Sequence, residues 1–156
     1  MSLAFAEAEA AQARGEVPVG CVIIDSSGKT VAAAGNRTLE LKDPTAHAEM
    51  LAIREAAKAL GSERLVGCDL YVTLEPCAMC AAAISFARVR RLYFAAEDPK
   101  MGAVDHGPRF FGQPTCHHRP EVYGGIGAAR GEELMREFFR ERRKSSPAVA
   151  GEERDP

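Results

Sequence analysis

The chain lacks several features that mark common classes of protein. Its formal net charge is only −2, so there is no global excess of basic residues to bind nucleic acid, and any basic surface has to be local. No apolar run approaches the length of a membrane span. No basic residue opens the N-terminal stretch, and Glu7 and Glu9 interrupt it, so it does not have the pattern of a signal peptide. We therefore expect a cytoplasmic protein that does not associate with membranes.

The sequence also contains no internal repeat and no boundary that would define a second domain. A length of 156 residues is typical of one domain with a sizeable hydrophobic core. We expect a single domain over residues 1–144. Residues 145–156 are polar and contain prolines, which predicts a disordered C-terminal tail.

The chain has five cysteines, an odd number, and two of them form a Pro-Cys-x-x-Cys motif that suits metal or redox chemistry better than a disulfide framework. Pro76 can open a helix because its fixed φ suits the first turn. Cys77 and Cys80 would then lie where free backbone amides favour the thiolate, the form that binds zinc. Cys21 and Cys68 lie in or beside apolar strands and are expected to be inert core residues.

The other half of a metal site is predicted upstream, in His47-Ala48-Glu49. His47 and two thiolates would give zinc three protein ligands and an open position, which is the pattern of catalytic zinc. Water bound there ionises near neutral pH, and Glu49 can take its proton and later deliver it to a leaving group. The pairing of His-x-Glu with Pro-Cys-x-x-Cys resembles the signature of zinc-dependent base deaminases.

Two other interpretations of the cysteines remain open at this stage. Cys77 and Cys80 could form a dithiol redox pair. They could also contribute half of a structural zinc site that a further cysteine or histidine closes. The candidates for that closing ligand are Cys68, Cys116, His106, His117 and His118. Glu75 is expected to be structural, with a supporting role behind the metal ligands as the alternative.

Strand and helix patterns alternate along the chain, which predicts a layered α/β fold. Apolar runs rich in strand-forming residues predict strands at residues 19–24, 30–34, 69–74, 91–95 and 122–123. The sequence Ser26-Ser27-Gly28-Lys29 predicts a hairpin turn between the first two strands, so the sheet is expected to be mixed.

Four helices are predicted, over residues 3–14, 43–60, 78–87 and 132–144. Asp43 and Pro44 provide a capping side chain and a proline for the start of the second helix, and Gly61 can close it. The third helix is apolar almost all round, which predicts that it is buried. Residues 97–121 are predicted to be irregular, and loops of that length inside a compact domain are often functional.

Several motifs together resemble the bacterial tRNA-specific adenosine deaminases of the cytidine deaminase superfamily. They are Gly35-Asn36-Arg37, His47-Ala48-Glu49 and Thr73-Leu74-Glu75-Pro76-Cys77-x-x-Cys80. The likeness extends from about residue 16 to 143, through Asp98-Pro99-Lys100, His118-Arg119 and Phe138-Phe139-Arg140-x-Arg142-Arg143. The zinc motif defines only the superfamily, whereas the later motifs point to the tRNA branch.

The resemblance implies a three-layer α/β/α cytidine-deaminase-like fold with a mixed five-stranded sheet, assembled as a homodimer. It also implies hydrolysis of the wobble adenosine in a tRNA anticodon stem-loop to inosine, with one Zn²⁺ per subunit. Such a loop base is already partly unstacked, so its extrusion costs little.

The resemblance further assigns individual roles. His47, Cys77 and Cys80 would bind zinc, and Glu49 would be the catalytic proton shuttle. The implied substrate-binding residues are Asn36, Asp98, Lys100, Arg119, Phe138 and Phe139. Only one of the two adjacent phenylalanines can face the core of a helix-packed domain.

Two competing functions remain possible from the sequence. A deaminase of free bases or nucleosides, such as guanine or cytosine, would use the same fold and zinc chemistry. A non-catalytic zinc-stabilised binding module would keep the metal ligands but would not need Glu49.

Overall fold

The computed structural model describes residues 1–145, and the predicted tail from residue 146 onward lies outside the described residues. Ser145, which the sequence analysis placed in that tail, is the last residue of the final helix. The helices are α1 (Ser2–Ala13), α2 (Thr38–Leu41), α3 (Ala48–Leu60), α4 (Ala78–Phe86) and α5 (Ala128–Ser145). The strands are β1 (Gly20–Ile24), β2 (Thr30–Gly35), β3 (Asp69–Leu74), β4 (Arg91–Ala96) and β5 (Glu121–Tyr123). A single 3₁₀ turn, Phe110–Gly112, interrupts the long segment between β4 and β5.

The five strands form one mixed sheet in the order β2-β1-β3-β4-β5. The pair β1/β2 is an antiparallel hairpin, and β1 also pairs antiparallel with β3. The β3/β4 and β4/β5 pairs are parallel. The predicted mixed sheet with an N-terminal hairpin is therefore confirmed.

Helices cover both faces of this sheet. Neighbouring residues of β1 point to opposite faces, so their contacts show which helices lie on each side. Gly20 lies against α1 so closely that a Cβ would come within 1.9 Å of the Ala4 carbonyl oxygen. Cys21 and Ile23 belong to a core cluster that also contains buried residues of α3 and α4. The helix α5 shares the α1 side, since the Arg130 guanidinium stacks 4.4 Å above the centroid of the Phe5 ring.

The second predicted helix starts later than Asp43 and Pro44 suggested. Asp43 Oδ1 accepts hydrogen bonds from the Thr45 N–H (2.8 Å) and the Thr45 hydroxyl (2.7 Å), so it stabilises a turn before the helix. His47 is the N-cap of α3, and Gly61 closes the helix with φ of +63°, as predicted. The short helix α2 was also not predicted, because its four residues carry no periodic signal.

Two expectations about α4 were wrong. The helix α4 is buried on one face only, since Phe86 on the opposite face is 74% exposed. Pro76 does not occupy the first helical position either, because Cys77 is the N-cap of α4.

Candidate active site

The topology brings one edge of the sheet together as a site. The parallel strands β3 and β4 end at this edge, and the antiparallel β1 begins there while β2 ends there. Ligands of open α/β sheets bind at such carboxyl ends. A cavity of about 470 Å³ lies at this edge. Its lining comprises Val17, Val19, Asn36, Thr38, His47, Glu49, Leu74, Glu75, Cys77, Asp98, Lys100, Met101, Met135 and Phe139.

His47, Cys77 and Cys80 lie at the N-termini of α3 and α4 and form a metal-binding geometry. Their ligand atoms are all within 4.8 Å of one another. His47 Nδ1 is 3.7 Å from Cys77 Sγ and 3.6 Å from Cys80 Sγ. Tetrahedral zinc with Zn–S of about 2.3 Å and Zn–N of about 2.0 Å needs a sulfur-to-nitrogen distance of about 3.6 Å. The three side chains therefore fit zinc.

Protonation in this cluster is strongly coupled. Hydrogen bonding with Cys80 lowers the pKa of the Cys77 thiol to about 4. The same contact, together with burial, raises the pKa of Cys80. The hydrogen bond with Cys77 raises the pKa of His47. The three donor atoms thus compete for protons, and a cation that replaces those protons satisfies all three at once.

Glu49 is the second residue of α3, and its carboxylate is buried beside the metal-binding cluster. Burial raises the pKa of Glu49 to about 7, even though its own backbone N–H lowers it. A carboxyl group with a pKa near neutrality can both accept and donate a proton at physiological pH. His47 is the N-cap of α3 and Glu49 lies in its first turn, two residues later. Because His47 is not yet helical, the two side chains can reach the same site.

Asn36 ends the β2 side of the site and has a structural contact of its own. Its Oδ1 accepts a hydrogen bond of 2.8 Å from the Ala48 N–H, the first amide of α3. Asn36 therefore provides the helix cap that the sequence had assigned to Asp43. Because Oδ1 is engaged, the Nδ2 amide is the part of Asn36 available to donate a hydrogen bond into the cavity.

Asp98, Lys100 and Met101 form the opposite wall, on the segment that follows β4. Asp98 Oδ1 accepts hydrogen bonds from the backbone N–H groups of Lys100 and Met101, which shapes this turn. Met101 is 65% exposed at the rim. Behind this wall, the buried Glu75 accepts hydrogen bonds from four backbone N–H groups and from the His106 ring.

The structure separates the remaining implied substrate-binding residues. Phe139 lines the cavity, whereas Phe138 is buried in the core with 5% exposure. Arg119 is exposed and does not line the cavity. The neighbouring His118 donates a 2.7 Å hydrogen bond from its Nε2–H to the Val89 carbonyl, so this segment lies beside the end of α4.

Several cavity residues were missed by the sequence analysis. Thr38 comes from the unpredicted helix α2, and Met135 comes from α5, where no signal marked it as a cavity residue. Glu16 holds α2 in place through hydrogen bonds to the Leu39 and Glu40 N–H groups, both 2.9 Å long. In the sequence Glu16 stands between Gly15 and Val17, and nothing at that position predicts its hydrogen-bond partners on α2.

The geometry does not favour a structural zinc site as the role of Cys77 and Cys80. Within residues 1–145, the metal-binding group contains His47, Cys77 and Cys80 alone, which leaves a tetrahedral ion one open position. Of the proposed closing ligands, His106 is hydrogen-bonded to Glu75 instead, and Cys116 is 7% exposed and bonded to the His118 carbonyl. A structural site would need a fourth ligand near the first three.

An open three-ligand zinc geometry, a buried carboxylate and a cavity at the sheet edge are the features of zinc-dependent base deaminases. Residues 1–96 match the family described as the cytidine and deoxycytidylate deaminase zinc-binding region. The tRNA-specific adenosine deaminase of Agrobacterium fabrum is 61% identical over 143 residues, which are 92% of this chain and 93% of the relative. That of Aquifex aeolicus is 44% identical over 93% of this chain and 95% of its own length. The chain belongs to the tRNA-specific adenosine deaminase family.

Solved structures agree with this assignment. A structure from biochemical and structural studies of A-to-I editing by tRNA:A34 deaminases at the wobble position superposes with a TM-score of 0.84 and 60% identity. It covers 86% of this chain and 96% of that protein. The guanine deaminase of Bacillus subtilis superposes with a TM-score of 0.60 and 29% identity over 97% of this chain and 94% of its own. The three-layer α/β/α cytidine-deaminase-like fold is thereby confirmed.

Proposed function

We propose that this protein hydrolyses the wobble adenosine of a tRNA anticodon stem-loop to inosine, with release of ammonia. The observation that carries the proposal is the buried Glu49 carboxyl beside the zinc-binding geometry of His47, Cys77 and Cys80. The family of tRNA-specific adenosine deaminases supports adenosine in tRNA as the substrate.

Each functional side chain has a distinct task in this reaction. His47, Cys77 and Cys80 would hold one Zn²⁺ per subunit, and the ion would supply an ionised water as the nucleophile for carbon 6 of adenine. Glu49, whose carboxyl is buried beside these three side chains, would accept a proton from the attacking water and return it to the departing amino group.

Asn36 is proposed to hydrogen-bond the extruded nucleotide through its Nδ2 amide. The variant Asn36→Asp tests this, because a carboxylate can still accept the hydrogen bond from the Ala48 N–H but cannot donate to a ligand. We expect Asn36→Asp to raise KM for the stem-loop while zinc content stays unchanged. Asn36→Ala is the matched control that also removes the α3 cap. Loss of zinc in Asn36→Asp would contradict this assignment.

The RNA is proposed to pass over the wall formed by Asp98 and Lys100 and along α5. Phe139 lines the cavity and can stack on a base, whereas the core position of Phe138 gives it an indirect role through the packing of α5. Arg140, Arg142 and Arg143 provide the local basic surface that the overall charge of −2 does not provide. Arg119 remains a predicted RNA contact on a separate exposed segment.

We further propose a homodimer that uses the exposed apolar face of α4. Phe86 on this face is 74% exposed, and Ala78 lies exposed two turns before it. Exposed apolar patches of this kind mark protein interfaces. Sedimentation of wild type and Phe86→Glu would test the assignment: a dimer that becomes monomeric on substitution supports it, and a dimer that persists contradicts it.

The single-domain organisation over residues 1–144 and a cytoplasmic location also stay proposals. The cytoplasm follows from the tRNA substrate and from thiols that must remain reduced to bind zinc. Within the described residues, no helix combines the length and the apolar character needed to cross a membrane.

Deamination of a free base is the second candidate, and the likeness to a guanine deaminase favours it. The decisive experiment measures inosine in an anticodon stem-loop with a wobble adenosine, beside free adenosine, cytidine and guanine. Turnover of the stem-loop alone supports the proposal, and turnover of a free base instead overturns the substrate. A binding module without catalysis would show zinc but no turnover, and Glu49→Ala would then change nothing.

A further inference from the structure

Glu75 is a buried carboxylate with an unusual number of partners, all on the loop of residues 98–106. Its Oε1 accepts hydrogen bonds from the N–H groups of Val104, Asp105 and His106, at 3.1, 2.8 and 3.0 Å. Its Oε2 accepts from the Asp98 N–H at 2.9 Å and pairs with His106 Nδ1 at 2.8 Å. Charge-assisted hydrogen bonds of this kind are about twice as strong as neutral ones. One side chain thus holds both ends of the 98–106 loop.

The same loop is also attached to the metal-ligand segment by its backbone. The Ala103 N–H donates a 2.9 Å hydrogen bond to the Pro76 carbonyl, and Gly102 forms an antiparallel bridge with Cys77. Gly102 lies so close to Glu75 that a Cβ would come within 2.5 Å of the Glu75 carboxyl carbon. Glycine is therefore required here by the close approach of the carboxylate, and the loop has one fixed position relative to Cys77.

We propose that Glu75 is a positioning residue that fixes Asp98, Lys100 and Met101 over the cavity and so governs affinity for the RNA substrate. The inference rests on the proposed function for the identity of that substrate. Glu75 lies at the cavity, but its side chain is fully buried, so the carboxylate itself is out of reach of a nucleotide. It contributes no metal ligand and no proton, so its effect on turnover has to pass through the loop that it holds.

Glu75→Gln is a selective test of this role. The amide oxygen can take the place of Oε1 and keep its three N–H donors, and the amide N–H₂ can donate to the other tautomer of His106 at Nδ1. The contact that cannot be kept is the one with the Asp98 N–H, because two donors would then face each other. His106→Ala is the complementary variant, since it removes the ring but leaves all four backbone N–H bonds.

The experiment compares wild type, Glu75→Gln and His106→Ala in the zinc-loaded form, well below the melting temperature of each. We expect hydrogen–deuterium exchange of residues 98–106 and KM for the stem-loop to rise about tenfold in Glu75→Gln. The kcat and the zinc content should stay near the wild-type values, and His106→Ala should show the smaller effect. Ile23→Val, a buried change in β1, controls for stability: it should lower the melting temperature without altering KM or loop exchange.

Each outcome decides the matter. Unchanged loop exchange in Glu75→Gln, or a fall in kcat at constant KM, would overturn the inference. A rise in KM in Ile23→Val as well would mean that KM follows overall stability and not the contacts of Glu75, and this result would also overturn the inference. If wild type does not deaminate the stem-loop, the proposed function fails. Loop exchange still decides in that case whether Glu75 holds the loop.

Discussion

Glu49 and Glu75 are both buried glutamates beside the same zinc-binding cysteines, yet their surroundings give them opposite properties. Burial raises the pKa of Glu49 to about 7. Burial alone would also raise the pKa of Glu75, but backbone N–H donors and the His106 ring lower it below the usual value. Burial with few donors favours a proton carrier, whereas burial with five donors favours the anion.

The difference follows from the backbone around each residue. Glu49 lies in the first turn of α3, and the backbone N–H that lowers its pKa is its own. Glu75 lies just after β3, and an irregular loop wraps around it with its amides turned inward. The same residue type can therefore act as a proton carrier at Glu49 and as a structural anion at Glu75, because the backbone around each side chain differs.

The largest expected effect comes from Glu49→Gln. Loss of general acid–base catalysis should lower kcat for the stem-loop by about 10³-fold. Zinc content, measured by metal analysis, and exchange of residues 98–106 should not change. The melting temperature should not fall, because glutamine replaces a buried ionisable carboxyl with a neutral amide, which costs less to bury. A marked loss of stability would mean that Glu49, like Glu75, is a structural anion, and the comparison would fail.

Glu75→Ala should show the opposite pattern. Removal of the carboxylate leaves four backbone N–H groups without their acceptor, which should lower the free energy of unfolding by about 3 kcal/mol. For a chain of this size we expect the melting temperature to fall by roughly 10 °C. Calorimetry of the zinc-loaded protein measures this. An unchanged melting temperature would show that water replaces the carboxylate without cost.

Glu16 extends the comparison to a third buried glutamate. Burial would raise the pKa of Glu16, but the Glu40 and Leu39 N–H groups and the Thr38 hydroxyl lower it, so it should behave as Glu75 does. Glu16→Gln should reduce the free energy of unfolding by about 1.5 kcal/mol, as measured by urea denaturation. Stability equal to wild type would show that N–H donors alone do not define the structural class.

The smallest effect concerns pH. The hydrogen bond with Glu75 raises the pKa of His106, and the negative charges of Glu97 and Asp105 raise it further. The stabilisation from His106 is therefore complete below pH about 6.5 and is lost as the pH rises through the raised value. NMR titration should find the imidazole pKa above 6.5 in wild type and lower in Glu75→Gln. Equal imidazole pKa values in the two proteins would show that the pair of His106 and Glu75 does not stabilise the loop through charge.

The sequence singled out His47, Glu49, Cys77 and Cys80 as candidates because metal binding and proton transfer require specific residue types at fixed spacing. The structure brings these side chains together, and their roles stay predictions. The strands and the mixed sheet were also predicted, because apolar runs and a turn signal are local patterns. Local patterns do not show which distant groups will meet.

The contacts that failed to be predicted all depend on long-range packing. Asn36 caps α3 from twelve residues away, where the sequence offered the adjacent Asp43. Glu75 meets partners 23 to 31 residues further along the chain. The exposed face of α4 was mistaken for core because an apolar helix looks the same whether its own domain or another chain covers it.

The end of β4 at Ala96 divides the molecule in a way that has a consequence for how this family diversifies. The proposed zinc ligands and Glu49 precede Ala96, and the matched deaminase region also ends at residue 96. The 98–106 loop and α5, which contribute Asp98, Lys100, Met101, Met135 and Phe139 to the cavity, come after it. Substitutions after Ala96 can therefore change which substrate the cavity accepts while His47, Glu49, Cys77 and Cys80 stay as they are. An adenosine deaminase and a guanine deaminase share this fold.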